Sequence, residues 1–286
     1  MTVTDPPASI GTHLSVHGRL VDVPERAARL GAQVVQLFLG NPRGWATPPG
    51  NATADATFRA AADDHGLAVL VHSAYLINLG SPTALTYERS VASVAHALAR
   101  GTAVGARGVV VHTGSCVALG GRDTAMRQVR DALLPMVELL PEDAPDVVLE
   151  HTAGQGQSLC ASVDDFGPYL ETLDWHPRVK ICLDTCHAFA AGHDLAEPGA
   201  MASTIDRLVA IAGPGRLAAI HANDSMDACG AFRDRHQRIG RGRIGLEPFR
   251  ELLAHPAVAG LPVILETPGD AQAHAEDLEL LDSMRP

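Results

Sequence analysis

One pattern recurs about every 35 residues along this chain: a short apolar, β-branched run, a polar loop, then an Ala/Leu/Arg-rich stretch. The runs cover roughly 10–16, 32–39, 67–72, 108–112, 146–150, 179–184, 217–221 and 262–266. Short runs rich in Val and Ile and bounded by loop residues read as strands. Between them, segments such as 23–30, 87–103, 122–140, 200–212 and 246–253 carry helix-favouring Ala, Leu, Glu and Arg. Alternating strands and helices imply parallel strands joined by helical crossovers. Eight such units in 286 residues, with no Pro/Gly/Ser-rich linker between them, fit one closed (β/α)8 TIM barrel of the α/β class. A doubly wound open sheet is the competing arrangement. The expected layout is a flexible lead over 1–9 and a single barrel domain over 10–286.

The last six runs end alike. They read VLVH to His72, VVVH to His112, VVLE to Glu150, ICLD to Asp184, AAIH to His221 and VILE to Glu266. Each is an apolar triplet, counting Cys182, closed by one His, Asp or Glu. Polar residues often mark where a strand leaves the core, and that explains any one of the six. It does not explain six of six with no Ser, Asn, Lys or Gly in the slot. In a barrel these residues share the carboxyl end of the strands, the face that carries active sites. Carboxylates crowded there repel unless protonated or bound to cations, and imidazole with carboxylate is a ligand set for Zn, Mn or Fe. The expectation is a metal cluster at the barrel mouth.

Beyond the seventh run, Asp234 and His236 stand two apart on one side of an extended segment, a further ligand pair that His187 is free to join. The glycines at 240, 242 and 245, with Arg235, Arg238, Arg241 and Arg243, make a basic, flexible loop suited to phosphate contact. The formal net charge of -11 argues against broad electrostatic binding of nucleic acid, although bound cations reverse the sign locally. Five cysteines without a repeated C-x-x-C spacing fit reduced thiols in a cytoplasmic protein. Cys182 and Cys186 flank Asp184, but Cys182 lies on a strand and packs as a small hydrophobe. No uninterrupted apolar stretch of eighteen residues occurs and the N-terminus lacks a secretory layout, so no membrane association is expected.

In its motifs the chain resembles the endonuclease IV family of apurinic/apyrimidinic endonucleases (AP endonuclease family 2). The matching stretches are YLINLGSP (75–82), EHTAGQG (150–156), CLDTCHAFAAGHD (182–194), HANDS (221–225), DRHQRIGRGRIGLEPF (234–249) and ILETP (264–268). Together they span about 10–277. The resemblance implies three Zn2+ per chain, with Mn2+ or Fe2+ able to substitute. His72, His112 and Glu150 would hold one ion. Asp184, His221 and Glu266 would hold a second, with Glu150 bridging, and His187, Asp234 and His236 a third. Glu150 and Glu266 take the catalytic roles of orienting the nucleophile. Tyr75 and Leu76 would insert at the lesion and Arg43 would enter the base stack. The implied substrate is double-stranded DNA containing abasic sites, cut on the 5′ side in base excision repair to leave 3′-hydroxyl and 5′-deoxyribose phosphate ends. A monomer with no obligate protein partner suffices.

Three positions depart from the family's usual residues: His151 for Asn, Thr113 for Pro and His193 for Tyr. His151 adjoins Glu150 and so bears on the residues that orient the metals; the roles of His13 and His193 stay open. Three divalent ions against four carboxylates and one hydroxide leave the site about +1, which attracts a phosphodiester despite the acidic chain. Two readings compete. A sugar isomerase or epimerase would use Glu150, Asp184, His221 and Glu266 but has no need of His187, Asp234 and His236. An inert lesion-binding protein would require a missing ligand, and none is missing.

Overall fold

The computed structural model describes residues 6–16 and 18–286. Residues 1–5 of the expected lead lie outside the described residues, and Ala8 is already buried. The strands are β1 (Ser9–His13), β2 (Val34–Leu37), β3 (Ala68–His72), β4 (Gly108–His112), β5 (Asp146–Glu150), β6 (Val179–Asp184) and β7 (Leu217–His221). Two short strands follow, β8 (Asp224–Ser225) and β9 (His236–Gln237), and then β10 (Pro262–Leu265). Strands β1 to β7 pair in sequence order, all parallel, and β10 closes the ring between β7 and β1. The expected barrel is therefore the observed one.

The outer ring holds α1 (Val23–Arg29), α2 (Ala52–Asp64), α3 (Ala84–Val104), α4 (Arg122–Glu138), α5 (Phe166–Thr172), α6 (Thr185–Ala191), α7 (Ala200–Ala212), α8 (Glu247–Ala254) and α9 (Ala271–Asp282). Among the described residues no helix is long and apolar enough to cross a membrane. The strands read as continuous apolar runs because both faces are covered. One large core lies between sheet and helices, with Phe58, Phe166, Tyr169 and Phe249 fully enclosed.

A second, small core fills the barrel: Val34, Ala68, Leu70, Val110, Val148, Cys182, Ala219 and Ile264. Each such Val or Leu contributes about 1.5–3 kcal/mol by leaving water. Cys182 packs here as a small hydrophobe. On β1 the interior position is Gly11, where an added Cβ would sit 1.7 Å from the Val34 carbonyl oxygen; only glycine lets β1 and β2 approach this closely.

Candidate metal centre

Strand alternation builds the site. Side chains two residues apart on a strand face the same side, so the interior plug predicts what stands above it. Above Val34 is Gln36, above Leu70 is His72, and above Val110 is His112. Above Val148 is Glu150, above Cys182 is Asp184, above Ala219 is His221, and above Ile264 is Glu266, one residue past the end of β10. His13 follows Gly11 in the same way. Eight polar side chains thus stand at the carboxyl mouth, one from each barrel strand.

The structure brings all nine candidate ligands together, in the three sets that the resemblance implies. His72, His112 and Glu150 form one, Glu150, Asp184, His221 and Glu266 a second, and His187, Asp234 and His236 a third. Within each set the ligand atoms lie within 4.8 Å of one another. Glu150 joins the first two: its Oε2 lies 3.2 Å from His72 Nε2 and 3.1 Å from His112 Nε2, its Oε1 3.0 Å from His221 Nδ1. Cys186 also approaches Asp184 and His236, but burial pushes its thiol pKa well up, which disfavours the thiolate a metal needs.

The third set hangs on local structure outside the barrel strands. Asp184 is the N-cap of α6, its Oδ1 accepting the backbone N–H of His187 at 2.8 Å. The Asp-Thr-Cys-His spacing is thus a helix-capping spacing, and one hydrogen bond fixes His187 relative to Asp184. His236 lies on β9, antiparallel to β8 and opposite Ser225. That hairpin is held by Asp224, a fully buried carboxylate accepting the backbone N–H groups of Ser225, Gly242 and Ile244 at 2.8–2.9 Å. A Cβ on Gly242 would meet Asp224 Oδ1 at 2.4 Å, so glycine admits the clamp.

Four imidazoles have their outer nitrogen engaged. His72 Nδ1 donates to Ser73 O at 2.7 Å, His187 Nδ1 to His151 O at 2.8 Å, and His236 Nδ1 to Glu266 O at 3.2 Å. His221 Nε2 donates to Gln36 Oε1 at 2.9 Å. Each bond leaves the other nitrogen's lone pair facing the cluster, the outer-shell arrangement of metal-ligating histidines. His187 Nε2 and His236 Nε2 are buried without a hydrogen-bond partner, although Asp234 oxygens lie 3.3 and 3.0 Å away. Imidazole nitrogens and carboxylates that converge this closely, two of the nitrogens without a hydrogen-bond partner, fit divalent cations between them. Burial opposes charge on His187 and His236, yet Asp184 and Asp234 outweigh it, raising His187 well above the usual imidazole range and His236 to about 9. Burial likewise opposes ionisation of Glu150, and His221 and His112 hold it far below the ordinary carboxylate range.

The other expected contacts stand at the rim. Tyr75 is 50% exposed and Leu76 37%, on the loop after β3; the Tyr75 backbone N–H donates to Pro42 O at 3.0 Å, tying that loop to the one carrying exposed Arg43. Tyr75 lines a cavity of about 310 Å³ with His112, His187, Asp234, His236 and Glu266. His151 is buried and neutral, its pKa pressed down to about 3 by burial and by His187. Its Nε2 accepts the Asp184 backbone N–H at 3.2 Å. Thr113 donates to Cys160 O beneath the mouth, and His193 accepts from Ser162 Oγ and the Val163 N–H, away from the cluster. Sequence reading passed over two residues. Asn223, fully buried, donates to Asp184 Oδ2 at 2.7 Å and accepts the Glu266 N–H at 2.8 Å. Gln36 does the like for His221 and Glu266. Neither is a ligand type, but the strand register exposes Gln36.

Comparison with known proteins agrees with this geometry. The family described as xylose isomerase-like TIM barrel (AP endonuclease family 2) matches residues 24–284. The chain is 53% identical to a probable endonuclease 4 of Streptomyces avermitilis, over 96% of this chain and 90% of that one. A probable endonuclease 4 of Chlorobium luteolum is 36% identical over 95% of this chain and 98% of that one. The crystal structure of endonuclease IV from Thermus thermophilus superposes with a TM-score of 0.86 at 31% identity, covering 96% of this chain and 98% of that chain. A D-psicose 3-epimerase, 13% identical with a TM-score of 0.70 over 96% of this chain and 97% of that one, shares the fold alone. The match over nearly the whole chain, with the three ligand-type sets in place, means that the chain belongs to the endonuclease IV family.

Proposed function

We propose that the protein is a zinc-dependent AP endonuclease of base excision repair, hydrolysing the phosphodiester 5′ to an abasic site in double-stranded DNA. The products are a 3′-hydroxyl and a 5′-deoxyribose phosphate. The observation that carries the reading is the third set, His187, Asp234 and His236, facing the same cavity as Tyr75 and Glu266. A sugar epimerase on this barrel has no use for it.

His72, His112 and Glu150 would hold one cation, Asp184, His221 and Glu266 with Glu150 a second, and His187, Asp234 and His236 a third. Such cations supply Lewis-acid stabilisation of phosphate charge and acidify water toward neutral pKa. Glu266 reaches the cavity from the strand side and accepts a hydrogen bond from the attacking water, orienting it toward phosphorus. As the new P–O bond forms the P–O3′ bond breaks, and the proton given up by the water ends on the departing 3′ oxygen. Glu150 is enclosed and keeps the first two sets in register. Tyr75 and Leu76, held outward on the rim, fill the gap left in the duplex, and Arg43 enters the base stack. Selectivity follows because a baseless sugar is cheap to extrude from the duplex. One mouth serves one lesion, so a cytoplasmic monomer is the working unit.

The test is an incision assay on a duplex with a single abasic site, alongside elemental analysis. Expected are a cut on the 5′ side, three ions per chain, loss of incision on prolonged chelation, and recovery with Zn2+. Glu266→Gln should lower the rate by about 10²-fold or more. Full activity after chelation or in that variant would overturn the mechanism; one or two ions without incision would favour the epimerase.

A further inference from the structure

We propose that Gln36 is a positioning residue of the metal centre: its side-chain amide dictates which nitrogen of His221 faces the cation and holds Glu266 beside it. The inference rests on reading the mouth as a metal centre and adds a residue of β2, a strand that supplies no ligand.

Gln36 is fully buried, and its amide lies between three members of the mouth. Its Nε2 is 2.6 Å from Glu266 Oε1 and 3.1 Å from His13 Nδ1, and its Oε1 is 2.9 Å from His221 Nε2. The amide orientation follows from chemistry. A carboxylate accepts only, so the group 2.6 Å from Glu266 is the NH2, and its second hydrogen serves His13. The carbonyl oxygen then faces His221 Nε2, which must carry the proton.

His221 Nδ1 is thereby turned to the carboxylates, 3.0 Å from Glu150 Oε1, 3.3 Å from Glu266 Oε2 and 3.9 Å from Asp184 Oδ2. A proton on Nδ1 satisfies these carboxylates in the metal-free protein, and a bound cation takes that proton's place. Gln36 therefore keeps Nε2 as the protonated nitrogen and Nδ1 as the one offered to the metal. Burying a glutamine at this depth is costly unless each polar atom is matched, and here each is.

The test compares the wild type with Gln36→Met, which keeps the shape and removes the hydrogen bonds, and with Gln36→Glu. The glutamate can still accept from His221 Nε2 but turns its other oxygen against Glu266. Zn2+ affinity is read by chelator competition on the full-length protein, and the His221 tautomer by long-range ¹H–¹⁵N correlation of the loaded form. In Gln36→Met one of three ions should bind about 10–100-fold more weakly, the range for loss of an outer-shell partner, with the His221 Nε2 proton signal lost. In Gln36→Glu that signal should persist while the same ion weakens. If Gln36→Met proves unable to fold, Gln36→Glu decides alone. Wild-type affinity for all three ions in the foldable variants would overturn the proposal. A wild type that binds three ions yet leaves abasic DNA intact would refute the endonuclease reading and leave the role of Gln36 standing.

Discussion

The candidate centre has two parts made by different means. Its strand-borne part, His72, His112, Glu150, Asp184, His221 and Glu266, stands where the barrel ladder puts it. Of these His72, Glu150, Asp184 and His221 are at most 3% exposed. Its loop-borne part, His187, Asp234 and His236, depends on a helix cap, a two-residue hairpin and the Asp224 clamp, and the Asp234 side chain is 40% exposed. The strand-borne part is set by backbone pairing shared with any barrel of this class. The loop-borne part is an addition to it, so ions should be lost from the two parts separately.

Glu150 gives the most severe test, because it links the first two sets. Glu150→Gln removes a charge that faces four imidazoles at once, those of His72, His112, His187 and His221. Two ions should leave together, the third should remain, and incision should fall by about 10²–10³-fold or more. Elemental analysis beside the incision assay checks this; a Glu150→Gln protein with three ions would remove the bridge from the scheme.

Asp234→Asn probes the other part and should have a smaller effect. Among the described residues its carboxylate pairs with His187 Nε2 and His236 Nε2, both of one set, so one ion should go and two should stay, with incision down by about 10²-fold. If all three ions leave with this one carboxylate, the parts are a single cooperative unit and the division fails.

The same division marks how much the sequence discloses. Strand endings are local: an apolar triplet closed by His, Asp or Glu shows both the strand and the direction of its last side chain. Gln36 escaped because apolar Leu37, Phe38 and Leu39 follow it, so the run has no polar end, and amides do not bind zinc. Its register, two residues after Val34, still marks it as inward. Helix α6 was hidden because it continues the apolar run of β6 without a break, and only the cap bond from Asp184 separates strand from helix. The Asp224 clamp joins residues 18 and 20 apart, and no periodicity reports a carboxylate bonding to distant backbone.

The subtlest difference between the parts should appear in the metal-free protein as pH rises. His236 is raised to about 9 by Asp184 and Asp234 against the opposing effect of burial, and His187 is raised by the same two carboxylates. A group whose folded pKa exceeds its unfolded value stabilises the fold fully below the unfolded pKa, about 6.5 for imidazole. That stability is lost as pH rises through the folded value. For His236 the contribution is on the order of 3 kcal/mol at most. Between pH 6.5 and about 9 the chelated protein should therefore loosen first around the β8–β9 hairpin, where trypsin meets the exposed Arg233 and Arg235, while the barrel stays intact. With zinc bound the imidazoles are neutral ligands already, and cleavage there should not change over this window. Equal protection of the hairpin at both ends of the range without metal would show that ionic contacts do not hold it. Loss of the barrel along with the hairpin would show that the loop-borne part is no separate unit.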